Sequence, residues 1–367
     1  MKHEQKTVLL GLSGGVDSAV AALLLKKKGY KVIGAFMKNF SETKNRLTGE
    51  CSWVEDKKDA EKVAAKLKIQ LVVLNFEKEY KKFVINPMFE DYKKGLTPNP
   101  DSLCNKIIKF PLLWKEAEKL GADYIATGHY IKRKKTKKSF QLQIPKDKKK
   151  DQSYFLYDLT QKDLEHTLFP IDKYTKEKIR KIAKKNKLSN YDKKGTSGIC
   201  FVGKINMKDF LKQKIKPKKG NLLNPEREII GKHNGIMYYT IGERIGERYG
   251  IKIDKEYSNK LGKKLYVADK KIKKNELIIA PEGHRSLEKN KFYIKKINWI
   301  LEKPKFPLKN IKVKIRHLGE MIPAKIQLKN KKYFCTISRP IKGLAEGQSA
   351  VIYQGKNILG GGEIRFN

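Results

Sequence analysis

Apolar residues follow two rhythms along this chain, and the change between them divides it. Residues 6–12 form a short apolar run that reads as a buried strand. A glycine-bearing turn follows. Ala19–Leu25 then reads as a helix, stopped by Gly29 at its C-terminal cap. Residues 31–37 predict a second strand. Asp56–Leu67 predicts a helix with Ala60, Val63, Ala64 and Leu67 on one face. Residues 70–75 read as a third strand, 106–119 as mainly helical around Pro111, and 124–127 as a fourth strand. Strands alternating with helices predict an α/β unit, a doubly wound parallel sheet.

After about residue 205 helical spacing fades and short β-type runs take over. They fall at 237–241, 292–294, 313–315, 324–328, 333–336 and 350–353. Residues 161–187 predict two helices with basic faces. The expected fold class is thus α/β plus all-β. A Rossmann-like N-terminal domain (1–205) precedes a small central β domain (206–280) and a C-terminal β-barrel domain (281–367).

Composition changes the picture mainly through charge. Hydrophobic residues make up 39% of 367, enough for real cores, and no run reaches the ~20 apolar residues of a membrane span. A soluble, cytoplasmic monomer is the expectation. The net charge is +44. A polyanionic partner explains it through counterion release, and a general drift toward lysine explains part of it. The four cysteines, Cys51, Cys104, Cys200 and Cys335, form no C-x-x-C pair, which argues against a zinc ribbon. Cys335 alternates within a β run and reads as core; Cys51 has no telling context.

Candidate chemistry begins at Gly11-Leu12-Ser13-Gly14-Gly15-Val16-Asp17-Ser18, between the first strand and first helix. It is neither a Walker A loop nor G-x-G-x-x-G. The logic is shared: glycines let backbone approach an anion, and the helix N-terminus aims N–H groups at it. Ser13 and Ser18 add hydroxyls. Asp17 is awkward beside phosphates and reads as a helix cap or a magnesium ligand. The octet resembles the signature of the PP-loop ATP pyrophosphatases. That resemblance implies cleavage of ATP between its α and β phosphates to activate a carbonyl oxygen. Met37 and Gly128, at two other strand ends, are candidates for the adenosine.

Asn99-Pro100-Asp101-Ser102-Leu103-Cys104-Asn105-Lys106 is the second informative segment. A helix expected near Asn105 places Cys104 at its N-terminus beside Lys106, and both features favour thiolate. Asp101 is a candidate general acid or base. In the third segment, Gly195–Phe201, small residues precede Cys200, as suits a loop that moves a thiol.

Taken together, the chain resembles the bacterial tRNA-specific 2-thiouridylases. The likeness rests on the octet, Phe36–Asn39, the Asn99–Lys106 segment and Thr127–Tyr130. It continues through Lys150–Leu156, Gly198–Phe201, Tyr239–Gly242, Glu346–Gln348 and Leu359–Gly362. It implies an ATP-dependent sulfurtransferase acting at C2 of wobble uridine 34 in the tRNA anticodon stem-loop. By that resemblance Cys104 is the nucleophile, Cys200 carries sulfur as a persulfide, and Asn99, Pro100 and Asp101 meet the target base. His129, Lys150, Asp151, Gln152, Arg316, His317 and Gln348 meet tRNA. ATP with Mg2+, and a persulfide-donating relay protein or cysteine desulfurase, complete the implied cast. Glu243, where the family usually has Gln, and Leu265-Tyr266, where a Trp-Tyr pair is common, depart from the pattern.

Overall fold

The computed structural model describes residues 5–42, 52–195, 202, 206–246, 251–254, 257 and 264–366. Strand β1 (Thr7–Gly11) leads into helix α1 (Val16–Lys27), then β2 (Lys31–Lys38), α2 (Ser52–Leu67) and β3 (Gln70–Asn75). Two short helices, α3 (Glu77–Tyr80) and α4 (Asn86–Lys93), flank a π-helical turn. A second such turn joins α5 (Pro100–Cys104) to α6 (Phe110–Lys119), before β4 (Tyr124–Ala126). The hairpin β5 (Lys132–Lys135) and β6 (Phe140–Gln143), α7 (Gln161–His166), β7 (Thr167–Leu168), α8 (Lys176–Lys185) and α9 (Met207–Lys212) follow.

The first sheet runs β3-β2-β1-β4-β7 and every pairing in it is parallel. Side chains alternate across it, so β1 supplies both cores. Val8 and Leu10 pack with α1, α2 and α8, while Leu9 joins the opposite face with Leu113 and Ala117 of α6. This is the expected doubly wound arrangement. Strand β7 is missing from the sequence reading, because two residues are too short to show a period.

The central sheet comprises β8 (Gly220–Leu223), β9 (Ile229–His233), β10 (Arg244–Ile245), β11 (Ile251–Ile253), β12 (Leu265–Lys271) and β13 (Glu276–Pro281). The C-terminal strands are β14 (Glu288–Trp299), β15 (Leu308–Lys314), β16 (Ile322–Lys329), β17 (Lys332–Lys342), β18 (Ser349–Gln354) and β19 (Asn357–Arg365). Antiparallel pairing runs around these six and closes through β14–β19, making a barrel. Cys335 is buried in its core, as its alternation predicts. The β5–β6 hairpin adds to this barrel at β19, and Gln141 Nε2 donates to the Ile358 carbonyl at 2.8 Å. The α/β unit is therefore stitched to the barrel through strand pairing as well as packing.

Candidate active site

The octet lies at the carboxyl edge of the first sheet. Gly15 occupies the N-cap position of α1, extended and without a side-chain cap, so the first amides of α1 face outward. Gly14 has φ +74°, and a Cβ there would lie 2.2 Å from the Asp56 carbonyl oxygen. Ser18, expected to donate to phosphate, is buried and braces the loop: its Oγ accepts the Ser13 N–H (3.2 Å) and donates to the Gly15 carbonyl (3.0 Å). Buried Asn190 donates to the Gly14 carbonyl at 2.8 Å. Ser13 remains exposed at the mouth. Gly128 abuts the loop: a Cβ there would sit 2.7 Å from Ser18 N, so only glycine lets the end of β4 reach α1. Met37 is buried, close to Gly11.

Asp17 does not cap α1, because Gly15 holds that position. Its carboxylate is gripped by Lys176 Nζ at 2.7 and 2.6 Å and by the Tyr130 hydroxyl at 2.7 Å. Burial, and then the Asp17 charge, push the Tyr130 hydroxyl's pKa far up, so it stays a donor. A magnesium ion bonded to either Asp17 oxygen, at about 2.1 Å, would lie within about 5 Å of the ammonium. That separation carries about 7 kcal/mol of repulsion at an effective dielectric of about 20. Residues in this arrangement do not fit a metal site at Asp17. No group of three or more His, Cys, Asp or Glu among the described residues could hold a metal.

The Cys104 helix starts earlier than the sequence reading places it. Asn99 is its N-cap, accepting the Ser102 N–H at 3.2 Å, and Pro100 occupies the first turn. Cys104 is therefore the last residue of α5 and fully buried. Asp101 lies three residues earlier, on the same helical face, and is half-buried. The Lys106 Nζ pairs with Asp158 at 3.0 Å, and Ser102 Oγ donates to the same carboxylate at 3.3 Å. Asp158 thus holds the Lys106 ammonium on this part of the helix. Leu113 packs near Gly11, at the carboxyl end of β1. Cys104 lies nine residues before it, about 13 Å along the helical path. Cys200 and Cys51 fall outside the described residues.

The C-terminal barrel docks against this helix. Asn99 Nδ2 donates to Ser349 Oγ at 3.1 Å, so the Asn99 side chain is committed to structure at both ends. Thr97 N–H donates to the Glu346 carbonyl at 2.7 Å, and the Tyr154 hydroxyl donates to the Ile315 and Ser349 carbonyls. Three buried polar atoms along this seam have no hydrogen-bond partner: Asn105 Oδ1, His317 Nδ1 and Gln348 Oε1. The His317 ring packs on Phe155 at 4.5 Å, and Asn105 Nδ2 donates to the Phe155 carbonyl at 3.1 Å.

The expected tRNA contacts divide sharply. Lys150 and Arg316 are exposed. Gln152 is half-buried and accepts the Tyr130 N–H at 2.9 Å. Two side chains are interior, contrary to that expectation. His129 is only 9% exposed, stacked on Phe110 and bonded to Thr127 Oγ1 at 2.8 Å. Burial, then the charge of Lys109, hold its pKa well below the ordinary histidine value. Asp151 forms a buried ion pair with Lys314 at 2.9 Å. The departing residue Glu243 is explained locally: it accepts the Thr240 N–H and pairs with Lys208 at 3.1 Å. Sequence reasoning missed Lys176, Asn190 and Asp158; each acts through a partner distant along the chain, which no local motif marks.

A glycine-serine loop entering a helix at the carboxyl edge of a parallel sheet defines a nucleotide-binding domain of the PP-loop class. Three family models match in series: a tRNA methyl transferase HUP domain over residues 6–204, a tRNA methyl transferase PRC-barrel domain over 208–281, and an aminomethyltransferase beta-barrel domain over 289–364. The tRNA-specific 2-thiouridylase MnmA of Proteus mirabilis is 42% identical over 366 residues, covering 99% of this chain and 98% of its own. The enzyme of that name from Coxiella burnetii (strain Dugway 5J108-111) is 40% identical, and MnmA 2 of Aliarcobacter butzleri 38%, each covering 99% of both chains. The chain belongs to the tRNA-specific 2-thiouridylase family.

Proposed function

We propose that this protein is an ATP-dependent tRNA sulfurtransferase that converts wobble uridine 34 to 2-thiouridine. The observation that supports the reading is a phosphate loop at the end of β1 together with a buried Cys104 on the helical path that leads to Leu113 beside Gly11. Family models bear a methyl transferase label, but a phosphate loop and a buried cysteine suit adenylation and sulfur transfer. The loop amides and the α1 N-terminus hold ATP's phosphates. The seam beside Asn105, His317 and Gln348 receives the extruded base, whose polar edge satisfies atoms otherwise buried without partners.

Uridine O2 attacks the α phosphorus and pyrophosphate leaves, which gives an O2-adenylated base. Asp101 holds or moves a proton beside Cys104. Cys200 brings sulfur as a persulfide from a relay protein or cysteine desulfurase. Cys104 thiolate attacks the Cys200 sulfur, releasing hydrosulfide and forming a Cys104–Cys200 disulfide. Hydrosulfide adds at C2 and AMP departs. A thiol reductant restores the cysteines. Magnesium enters only as the companion of ATP's phosphates. Exposed Lys150 and Arg316, within a chain of net charge +44, favour tRNA as the polyanion. The working form is a monomer in the cytoplasm. No helix among the described residues is long and apolar enough to cross a membrane.

The test is a thiolation assay with unmodified tRNA, ATP, magnesium and a sulfide source, read by nucleoside mass spectrometry. We expect 2-thiouridine at position 34 and AMP in equal yield. Methylated uridine, 4-thiouridine or no ATP-dependent product would overturn the reading.

A further inference from the structure

We propose that Lys176 is the resident cation of the phosphate loop, held by Asp17, and that it contacts the polyphosphate of the bound nucleotide. This rests on the ATP-binding reading of the loop and adds a residue to it. Lys176 is the first residue of α8, after the N-cap Thr175. Its own N–H donates to Asp147 Oδ2 at 2.8 Å, which fixes the backbone at that point. Helix α8 packs on α1 through Ile179 and Ala183, within the core that holds Val16 and Val20. The ammonium thereby meets the first turn of α1, where the loop amides converge.

Asp17 takes both of its short contacts from Lys176 and a third from Tyr130. The Lys176 and Asp17 side chains are only 15% and 30% exposed. A lone carboxylate at an anion site would repel phosphate. Paired this way, it cancels its own charge and aims a cation at the mouth of the loop, which resolves the oddity of an acid in a phosphate-binding octet. Asp17 is then a positioning residue, and Lys176 the group that touches substrate.

Calorimetric binding of α,β-methylene-ATP to the full-length protein tests this, with and without magnesium, using adenosine as a control. We expect Lys176→Met to weaken analogue binding about tenfold or more, leave adenosine binding within about twofold, and be largely rescued by Lys176→Arg. Asp17→Asn should weaken the analogue by a smaller factor and keep the full magnesium-dependent gain. The proposal is overturned if Asp17→Asn erases that gain while Lys176→Met binds the analogue as well as wild type. If Lys176→Met does not fold, the Lys176→Arg affinity and the Asp17→Asn magnesium ratio decide it. Failure of the wild type to bind the analogue would instead bring down the ATP reading itself.

Discussion

At the scale of single residues, the site depends on close approach and on buried polarity. Gly128 touches the phosphate loop so closely that an added methyl meets Ser18 N at 2.7 Å. We expect Gly128→Ala to lower kcat/KM for ATP about 100-fold, as for other small misplacements of reacting groups; steady-state kinetics will check it. Cys104→Ser should abolish 2-thiouridine formation yet retain tRNA-dependent release of pyrophosphate, because adenylation precedes sulfur transfer. His129 gives a pH signature. Its folded pKa is depressed, so below the ordinary value of 6.5 the unfolded chain binds a proton that the folded chain refuses. Stability from this group is therefore complete above pH 6.5 and falls with acid, by up to about 1.4 kcal/mol per pH unit. Denaturant melts of wild type and His129→Asn between pH 5 and 7.5 should diverge in that direction.

Elements were legible where their periods were long. The four longest strands of the parallel sheet and its first helices stand where apolar spacing puts them, with ends shifted by a few residues. The start of the Cys104 helix moved from about 105 to Pro100, because an Asn-Pro cap outweighs a weak apolar pattern there. The β5–β6 hairpin went unread since Lys132–Lys135 is all cationic and its pairing partner is remote. That cap has measurable weight. Asn99→Ala removes it together with the bond to Ser349, and we expect a loss of about 1–2 kcal/mol in stability and a matching fall in thiolation rate. Thermal melts and single-turnover assays report the two effects separately.

For the whole molecule, the decisive feature is that the α/β unit and the barrel, each with a core of its own, meet in a buried seam where Val351, Tyr353 and Ile358 join the α/β core. Asp151 and Lys314, 163 positions apart, form an ion pair buried in that seam. Lys314→Met should cost about 3–5 kcal/mol by leaving buried Asp151 without its counter-charge, with only the Ser153 N–H still bonded to it, and the double change with Asp151→Asn should recover most of it. Urea titrations of the two variants provide the comparison.

Sequence by itself determined the parallel sheet, the β-rich second half, the octet and the family, because each is written in runs of contiguous residues. Tertiary structure decided what those residues do to one another. It gave Asp17 an ammonium from 159 residues away where sequence offered a metal, turned Ser18 inward, and placed His129 and Asp151 in the interior. A charged side chain's role is set by whichever partner folding brings within about 3 Å, and that distance is not a property of its neighbours along the chain.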